Sequence, residues 1–106
     1  MTGKTDRHLL VETRDTGEAF LRDARVLAGT GRDVTLLLIQ DAVGTVIRTS
    51  SPIGRLTGAG VRVLIDDFSM RQHAVAVADL PTWVRVADAH DIAGLLLVPG
   101  IKVVWH

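Results

Sequence analysis

The stretch of sequence that decides the fold is Val34-Thr35-Leu36-Leu37-Leu38-Ile39-Gln40-Asp41. Its apolar residues are consecutive rather than alternate, which is typical of a strand in a sheet that helices cover on both faces. A buried helix of the same composition would need about ten or more residues, and this run is shorter. Gly31-Arg32-Asp33, directly before it, is a turn signal. The stretch therefore predicts a central parallel strand.

Four other short apolar runs are suited to pair with this strand. They are residues 7–13, 61–66, 83–86 and 101–105. Helical segments separate successive runs, and parallel strands need such crossover connections. The expected fold is therefore α/β, a three-layer α/β/α sandwich with a five-stranded parallel sheet.

Helix boundaries are indicated by residues that cap helices. Asp15 and Glu18 stand three residues apart, as do Asp88 and Asp91, and this is the spacing at which two side chains satisfy each other's backbone N–H groups. Ser51-Pro52 predicts the start of a further helix, because proline suits a first helical position that needs no N–H donor.

A third helix is predicted after the strand at 61–66. It starts at Asp67 or Ser69, runs through Met70, Ala74 and Val77, and ends at Leu80-Pro81. Ser69 is interpreted as its N-cap residue.

Length and composition indicate one domain over residues 1–106, with residues 1–5 as a flexible tail. Twelve basic and twelve acidic side chains cancel, so we expect no direct nucleic-acid binding and no attraction to an anionic membrane. No stretch is long and apolar enough for a membrane span, which favours a soluble cytoplasmic protein. The chain has no cysteine, which excludes disulfides, thiolate metal sites and thiol nucleophiles.

Ligands of open parallel sheets bind beyond the carboxyl ends of the strands. Polar residues that follow the predicted strands are therefore the candidate ligand-binding residues: Arg14, Asp41, Asp66, Asp67 and Ser69. The adjacent carboxylates at 66 and 67 could attract a cation or an amine. The basic residues Arg7, Arg32, Arg62, Arg85 and Lys102 fall at the opposite ends, so an acidic rim should face a basic rim.

Structural alternatives exist for these polar residues. Asp15 and Asp88 suit helix caps, and Asp67 with Arg71 four residues later suits a surface ion pair. His73 is more typical of a solvated helix residue than of a metal ligand, because no zinc-motif spacing accompanies it. No residue is assigned a catalytic or metal-binding role, and no cofactor is expected.

Apolar residues outside the predicted core suggest an interface. Val43, Val46 and Ile47 lie in a weak helical turn after the central strand, and Trp105 lies near the end of the sequence on a possible edge strand. Each tryptophan, Trp83 included, also suits a core or edge anchor. These four positions at 43, 46, 47 and 105 are the candidate contacts with a partner.

Three stretches together resemble one known family. Residues 36–43, residues 61–67 leading into a short helix, and a final strand ending at Trp105 are similar to the small DsrE/DsrF/DsrH (TusB/TusC/TusD) sulfur-relay proteins, most of all to the DsrH/TusB branch. The resemblance implies a five-stranded parallel sheet and assembly into homo-oligomers or hetero-oligomers. Active members of the family carry a persulfide on a cysteine and pass its sulfur to a partner.

This sequence departs from the family at its reactive residue. It contains no cysteine, and the end of the third strand has Asp66, Asp67, Phe68 and Ser69 instead. Sulfur relay needs a thiolate, and neither a hydroxyl nor a carboxylate can replace it. The resemblance thus favours a non-catalytic subunit that self-associates or binds a cysteine-bearing DsrE-like protein in sulfur relay or tRNA thiolation. The alternative is a small-molecule-binding or cation-binding domain, or an enzyme, that uses an acidic crevice at the carboxyl ends of the strands.

Overall fold

A computed structural model of the chain describes residues 7–14, 18–47 and 53–106. Their elements, in chain order, are β1 (Arg7–Glu12), α1 (Glu18–Gly29), β2 (Asp33–Leu38), a 3-10 helix (Gln40–Ile47), α2 (Gly54–Gly58), β3 (Arg62–Asp66), α3 (Asp67–Gln72), a second 3-10 helix (Val77–Asp79), β4 (Val84–Ala87), α4 (Ala89–Leu96) and β5 (Ile101–Trp105). The tail predicted at residues 1–5, the Asp15 cap and the Ser51-Pro52 helix start lie outside the described residues. No helix within the described ranges is long and apolar enough to cross a bilayer.

All five strands are parallel and form one sheet in the order β4-β3-β2-β1-β5. The strand predicted to be central, β2, is the middle strand of this sheet. Leu36, Leu37 and Leu38 are almost completely buried, because their side chains alternate between two covered faces. The predicted α/β fold with a five-stranded parallel sheet is therefore confirmed.

The larger core lies on the face that we call the α1 face, covered by α1, α2, α3 and the first 3-10 helix. The strands contribute alternate residues, such as Leu36 and Ile65, and α1 contributes Phe20 and Ala24 from the stripe expected of an amphipathic helix. The chain leaves α1 through Gly31, whose φ of +83° suits a residue without a Cβ.

The opposite face, the α4 face, has a smaller core. Leu9, Val11 and Leu37 are buried there, and Ile92 and Leu95 of α4 pack against them while remaining half-buried. α4 connects the two edge strands, β4 and β5, so the chain crosses the whole width of the sheet through one short helix.

The start of α4 confirms the capping interpretation. Asp88 is its N-cap residue, and the Asp88 carboxylate accepts from the Asp91 backbone N–H at 2.8 Å. The Asp91 carboxylate in turn accepts from the Asp88 backbone N–H at 3.0 Å. Both bonds of a capping box are therefore present.

The prediction for α3 is wrong in its length and in its cap. The helix ends at Gln72 rather than near Leu80, because Ala74 adopts φ +55°, a left-handed conformation that a helix cannot continue through. Its N-cap residue is Asp66, not Ser69, since the Asp66 carboxylate accepts from the backbone N–H of Ser69 at 3.0 Å.

Trp83 precedes β4, which starts one residue later than predicted, and it is half-buried against the α1-face core. A Cβ added at Gly54 would lie 3.3 Å from the indole ring. Glycine at the start of α2 thus leaves room for this ring, and Trp83 acts as one of the anchors that the sequence suggested.

Candidate functional site

The carboxyl ends of the strands bring several of the predicted polar residues together. Asp66 ends β3, and Gln40 and Asp41 follow β2, its neighbour in the sheet. Gln40 has φ +52°, a conformation that is uncommon for a residue with a side chain. The end of β2 and the start of α3 therefore form one polar cluster.

Hydrogen bonds connect Ser69, Asp66 and Gln40 within this cluster. Ser69 is buried, and its Oγ donates to Asp66 Oδ2 at 2.6 Å while accepting from the Gln40 backbone N–H at 2.8 Å. A serine hydroxyl has only one proton to donate. Ser69 and Asp66 therefore connect β2 to α3, and the geometry gives the hydroxyl a structural task.

The remaining predicted residues lie closer to solvent. Asp67 Oδ2 is 3.6 Å from Arg71 Nη2, an ion pair four residues apart on the surface of α3, as the structural alternative expected. Asp41 Oδ1 is 3.4 Å from His73 Nε2, with 77% of the Asp41 side chain exposed. Arg14 is exposed, beyond the end of β1. Asp66 and Asp67 thus have separate contacts within the protein, with Ser69 and with Arg71.

The most buried charged group at this edge, Glu12, is absent from the predicted site. Its side chain is completely buried at the end of β1, on the same face as Leu10. Glu12 Oε1 accepts from the backbone N–H groups of Thr13 and Arg14, each at 3.1 Å. Glu12 Oε2 lies 2.7 Å from His106 Nδ1. Every oxygen of this carboxylate therefore has a partner, as burial of a charge requires.

His106 is held in a defined orientation. Its ring stacks on Phe20 with the ring centroids 4.6 Å apart and the planes inclined by 15°. Its backbone N–H donates to Val11 at 2.8 Å, and its carbonyl accepts from the Thr13 backbone N–H at 3.0 Å, so it continues the pairing of β5 with β1.

The pair of Glu12 and His106 has the arrangement of a carboxylate that orients an imidazole. A carboxylate only accepts, so Nδ1 carries the proton of the neutral ring and Nε2 is left as an acceptor. The His106 side chain is half-exposed, whereas Glu12 is buried beneath it. Such a ring can accept a proton or a hydrogen bond from a molecule at this edge of the sheet.

Only the strand order brings this pair together. Glu12 and His106 are 94 positions apart in the chain, and no local pattern links them. A signal existed for Glu12 alone, because a charged residue on the buried face of an apolar strand needs a partner.

A shifted pKa is found at the carboxyl ends of the strands. The pKa of the Asp88 carboxyl, after β4, is lowered, chiefly because the Asp91 backbone N–H donates to it. Across the described residues, no three histidine, aspartate or glutamate side chains gather in a way that could hold a metal ion.

The predicted interface residues divide into two groups. Val43 and Val46 are buried in the α1-face core and have no surface to present to a partner, whereas 49% of Ile47 is exposed. Trp105 is 61% exposed on the edge strand β5. The predicted contact surface is thereby reduced to Ile47 and Trp105.

Comparisons with known proteins establish the class of fold. No protein-family model matches the chain, and no curated protein matches it either. The crystal structure of YchN from E. coli is similar, with a TM-score of 0.75 at 18% identity over 94% of this chain and 99% of that one. MTH1491 from Methanobacterium thermoautotrophicum, described as a protein of unknown function, has a TM-score of 0.68 at 15% identity over 95% of this chain and 100% of that one. Both are DsrE-like in fold, and the chain therefore has a DsrE-like fold.

Proposed function

We propose that this chain is a non-catalytic DsrE-like subunit, of the DsrH/TusB kind, that binds a cysteine-bearing DsrE-like protein in sulfur relay or tRNA thiolation. The DsrE-like fold supports the type of partner. The lack of cysteine supports the absence of a relay step in this chain, because persulfide transfer needs a thiolate. The Ser69 hydroxyl donates to the Asp66 carboxylate, so these two groups at the end of β3 are already engaged with each other.

The observation that carries the proposal is the exposed apolar end of β5. β5 is an edge strand, so one side of its backbone pairs with no other strand in the described part of the chain. Trp105 is 61% exposed and Val104 45% exposed at its carboxyl end. Tryptophan is enriched at the energetic centres of protein interfaces, because it buries a large area with few rotatable bonds. Lys102, nearer the start of the strand, discourages unspecific edge pairing there.

Affinity capture from native cell extract tests the proposal, with the captured proteins identified by mass spectrometry. We expect the tagged chain to retain a cysteine-bearing DsrE-like protein. Trp105→Lys should abolish this retention, because a charge placed in an apolar interface stays unpaired. Val26→Lys is the matched control, since Val26 is 58% exposed on α1, which is not part of the sheet.

Light scattering after gel filtration separates self-association from binding of a different protein. A homo-oligomer that Trp105→Lys converts to a monomer would identify a second copy as the occupant of this surface. A strict monomer that retains no DsrE-like protein would contradict the proposal, and so would equal retention by the Trp105→Lys variant.

A second candidate function is supported by the pair of Glu12 and His106. The oriented, half-exposed imidazole lies at the carboxyl edge of a parallel sheet, where such folds bind small molecules. A thermal-shift screen with metal ions, nucleotides and polyamines tests it, because a ligand of the folded state raises the melting temperature. We expect His106→Gln to remove any response and Asp67→Ala, on the exposed ion pair, to retain it. The absence of any response would count against a ligand at this edge.

A further inference from the structure

A cavity of about 760 Å³ opens at the amino ends of the strands, opposite to the candidate site. Arg7, Arg62 and Arg85 line it, as do Thr35 and Leu64. The register places these residues on the α4 face, because residues that pair across parallel strands point to the same side. His8 also borders the cavity, but the alternation along β1 places its ring on the α1 face.

Two of the arginines are held by one carboxylate. Asp33 Oδ1 accepts from Arg62 Nη2, and Asp33 Oδ2 lies 3.9 Å from Arg7 Nε. The Nε of Arg62 also donates to the Thr35 hydroxyl at 3.3 Å. These contacts fix the position of the Arg62 guanidinium and leave its remaining N–H donors available.

Arg85 differs from the other two arginines of the cavity, because its guanidinium has no partner in the described part of the chain. No hydrogen bond or ion pair engages its guanidinium within residues 7–14, 18–47 and 53–106. Three guanidinium groups and one carboxylate therefore surround the opening, although the whole chain has no net charge. Three members of the basic rim expected from the sequence line this cavity. Arg62 and Arg85 lie on the neighbouring strands β3 and β4, and each guanidinium is a fork suited to an oxyanion.

Part of the cavity lining is apolar. It includes Leu95 and Val98, from α4 and the turn after it, Ile101 at the start of β5, and Trp83 just before β4. All four side chains are half-buried, so each still presents apolar surface. Volumes of about 300–1,000 Å³ are typical of sites for small organic molecules.

We propose that this cavity binds a small organic anion, one carboxylate or phosphate group on an apolar body. The anionic group contacts Arg62 and Arg85, and the apolar body lies against Leu95, Val98 and Ile101. Arginine pairs with two oxygens of either head group, which is the chemistry that the two anions share. The site is distinct from the edge strand surface of the proposed function, and neither depends on the other.

Fluorescence of Trp83 tests this proposal directly. The chain has two tryptophans, so in a Trp105→Phe background the emission comes from Trp83 in the cavity wall. Hexyl phosphate and hexanoate are the probes, with 1-hexanol and inorganic phosphate as the separate halves of the ligand. We expect both anions to change the emission in a saturable way, and each half to bind more weakly than the whole. Binding should weaken as salt is added, because the arginines are partly exposed.

Variants of Arg85 give the matched comparison. Arg85→Gln should weaken binding about tenfold, a common cost of losing one charged hydrogen-bond partner. Arg85→Lys should recover part of it, since lysine keeps the charge without the fork. Arg25→Gln, an exposed arginine on α1, should leave binding unchanged. Circular dichroism of each variant controls for folding.

Three outcomes would overturn the proposal. One is the absence of any change in Trp83 emission with millimolar hexyl phosphate or hexanoate. Another is binding by Arg85→Gln that equals that of the parent chain. The third is binding of 1-hexanol as tightly as the anions, which would mean an apolar cavity without anion selectivity. The relative affinities of hexyl phosphate and hexanoate then identify the preferred head group.

Discussion

The two faces of the sheet are covered to very different degrees. On the α1 face, three helices and a 3-10 helix enclose a continuous core that includes Leu36 and Ile65. On the α4 face, one helix of eight residues lies over a sheet of five strands, and Leu95 stays half-buried. Among the described residues, one face of the sheet thus has a continuous helical cover and the other face a partial one.

This difference explains where open surface occurs. The anion cavity lies at the amino ends of the strands, where arginines on the α4 face, Leu95 of α4 and Trp83 of the α1-face core line it. Trp105 lies on the α4 face at the carboxyl end, because it pairs with Val11 in the register. A sparsely covered face has less apolar burial, and within the described residues Trp105 stays exposed on it.

The largest expected effect compares one leucine from each face. Leu36→Ala on the α1 face should lower the free energy of unfolding by about 3 kcal/mol or more, because the side chain is completely buried and leaves a cavity. Leu95→Ala on the α4 face should lower it by about 1 kcal/mol, because the side chain is only half-buried. Urea denaturation measures both. Equal losses would break the comparison between the faces.

Glu12 tests whether the α1 face tolerates a buried charge only through its hydrogen bonds. Glu12→Ala should cost about 2–3 kcal/mol, since the Thr13 and Arg14 amides and the His106 ring lose their acceptor. Glu12→Gln should cost less, about 1 kcal/mol, because it keeps an acceptor oxygen. A double-mutant cycle with His106→Ala measures the coupling. A coupling near zero would mean that the pair contributes nothing to folding.

The two neighbouring aspartates at the end of β3 provide a smaller contrast. Asp66→Ala should cost about 1–2 kcal/mol, because it removes the N-cap of α3 and the partner of the Ser69 hydroxyl. Asp67→Ala removes only the exposed pair with Arg71 and should cost a few tenths, about 0.3 kcal/mol. If the order of these two values were reversed in thermal melts, the cluster at this edge would not have the structure described.

The smallest effect concerns the cap of α4. The lowered pKa of Asp88 means that its charged form is favoured by folding. The stabilisation from this charge is therefore fully present above the ordinary aspartate pKa of 3.8, and it is lost as the pH falls through the lower pKa of the folded state. Hydrogen exchange measures this effect. In Asp88→Ala we expect faster exchange of the α4 amides, and unchanged exchange of the α1 amides. Uniform exchange in both helices would argue against independent behaviour of the two faces.

Much of the fold could be predicted because its signals are local. The consecutive apolar residues of β2 indicate burial on two faces, and the spacing of Asp88 and Asp91 indicates a capping box. The length of α3 could not be predicted from its apolar pattern. That pattern continues to Val77, whereas the backbone turns at Ala74.

The candidate sites depend on contacts between distant residues. The cluster of Asp66 and Ser69 is the exception: both residues lie in one short segment, and their position after a strand predicts them. Glu12 and His106 meet only because β5 returns to the edge beside β1. The arginines of the cavity come from three different strands.

The sequence by itself therefore determined the parallel α/β class, the central strand and the absence of thiol chemistry, because each follows from residue types or from spacing along the chain. The tertiary structure alone decided which face is thinly covered, which charges find partners, and where Arg85 and Trp105 are left available. The physical reason is that burial and ion pairing depend on strand order, and strand order is set by contacts between segments far apart in the chain.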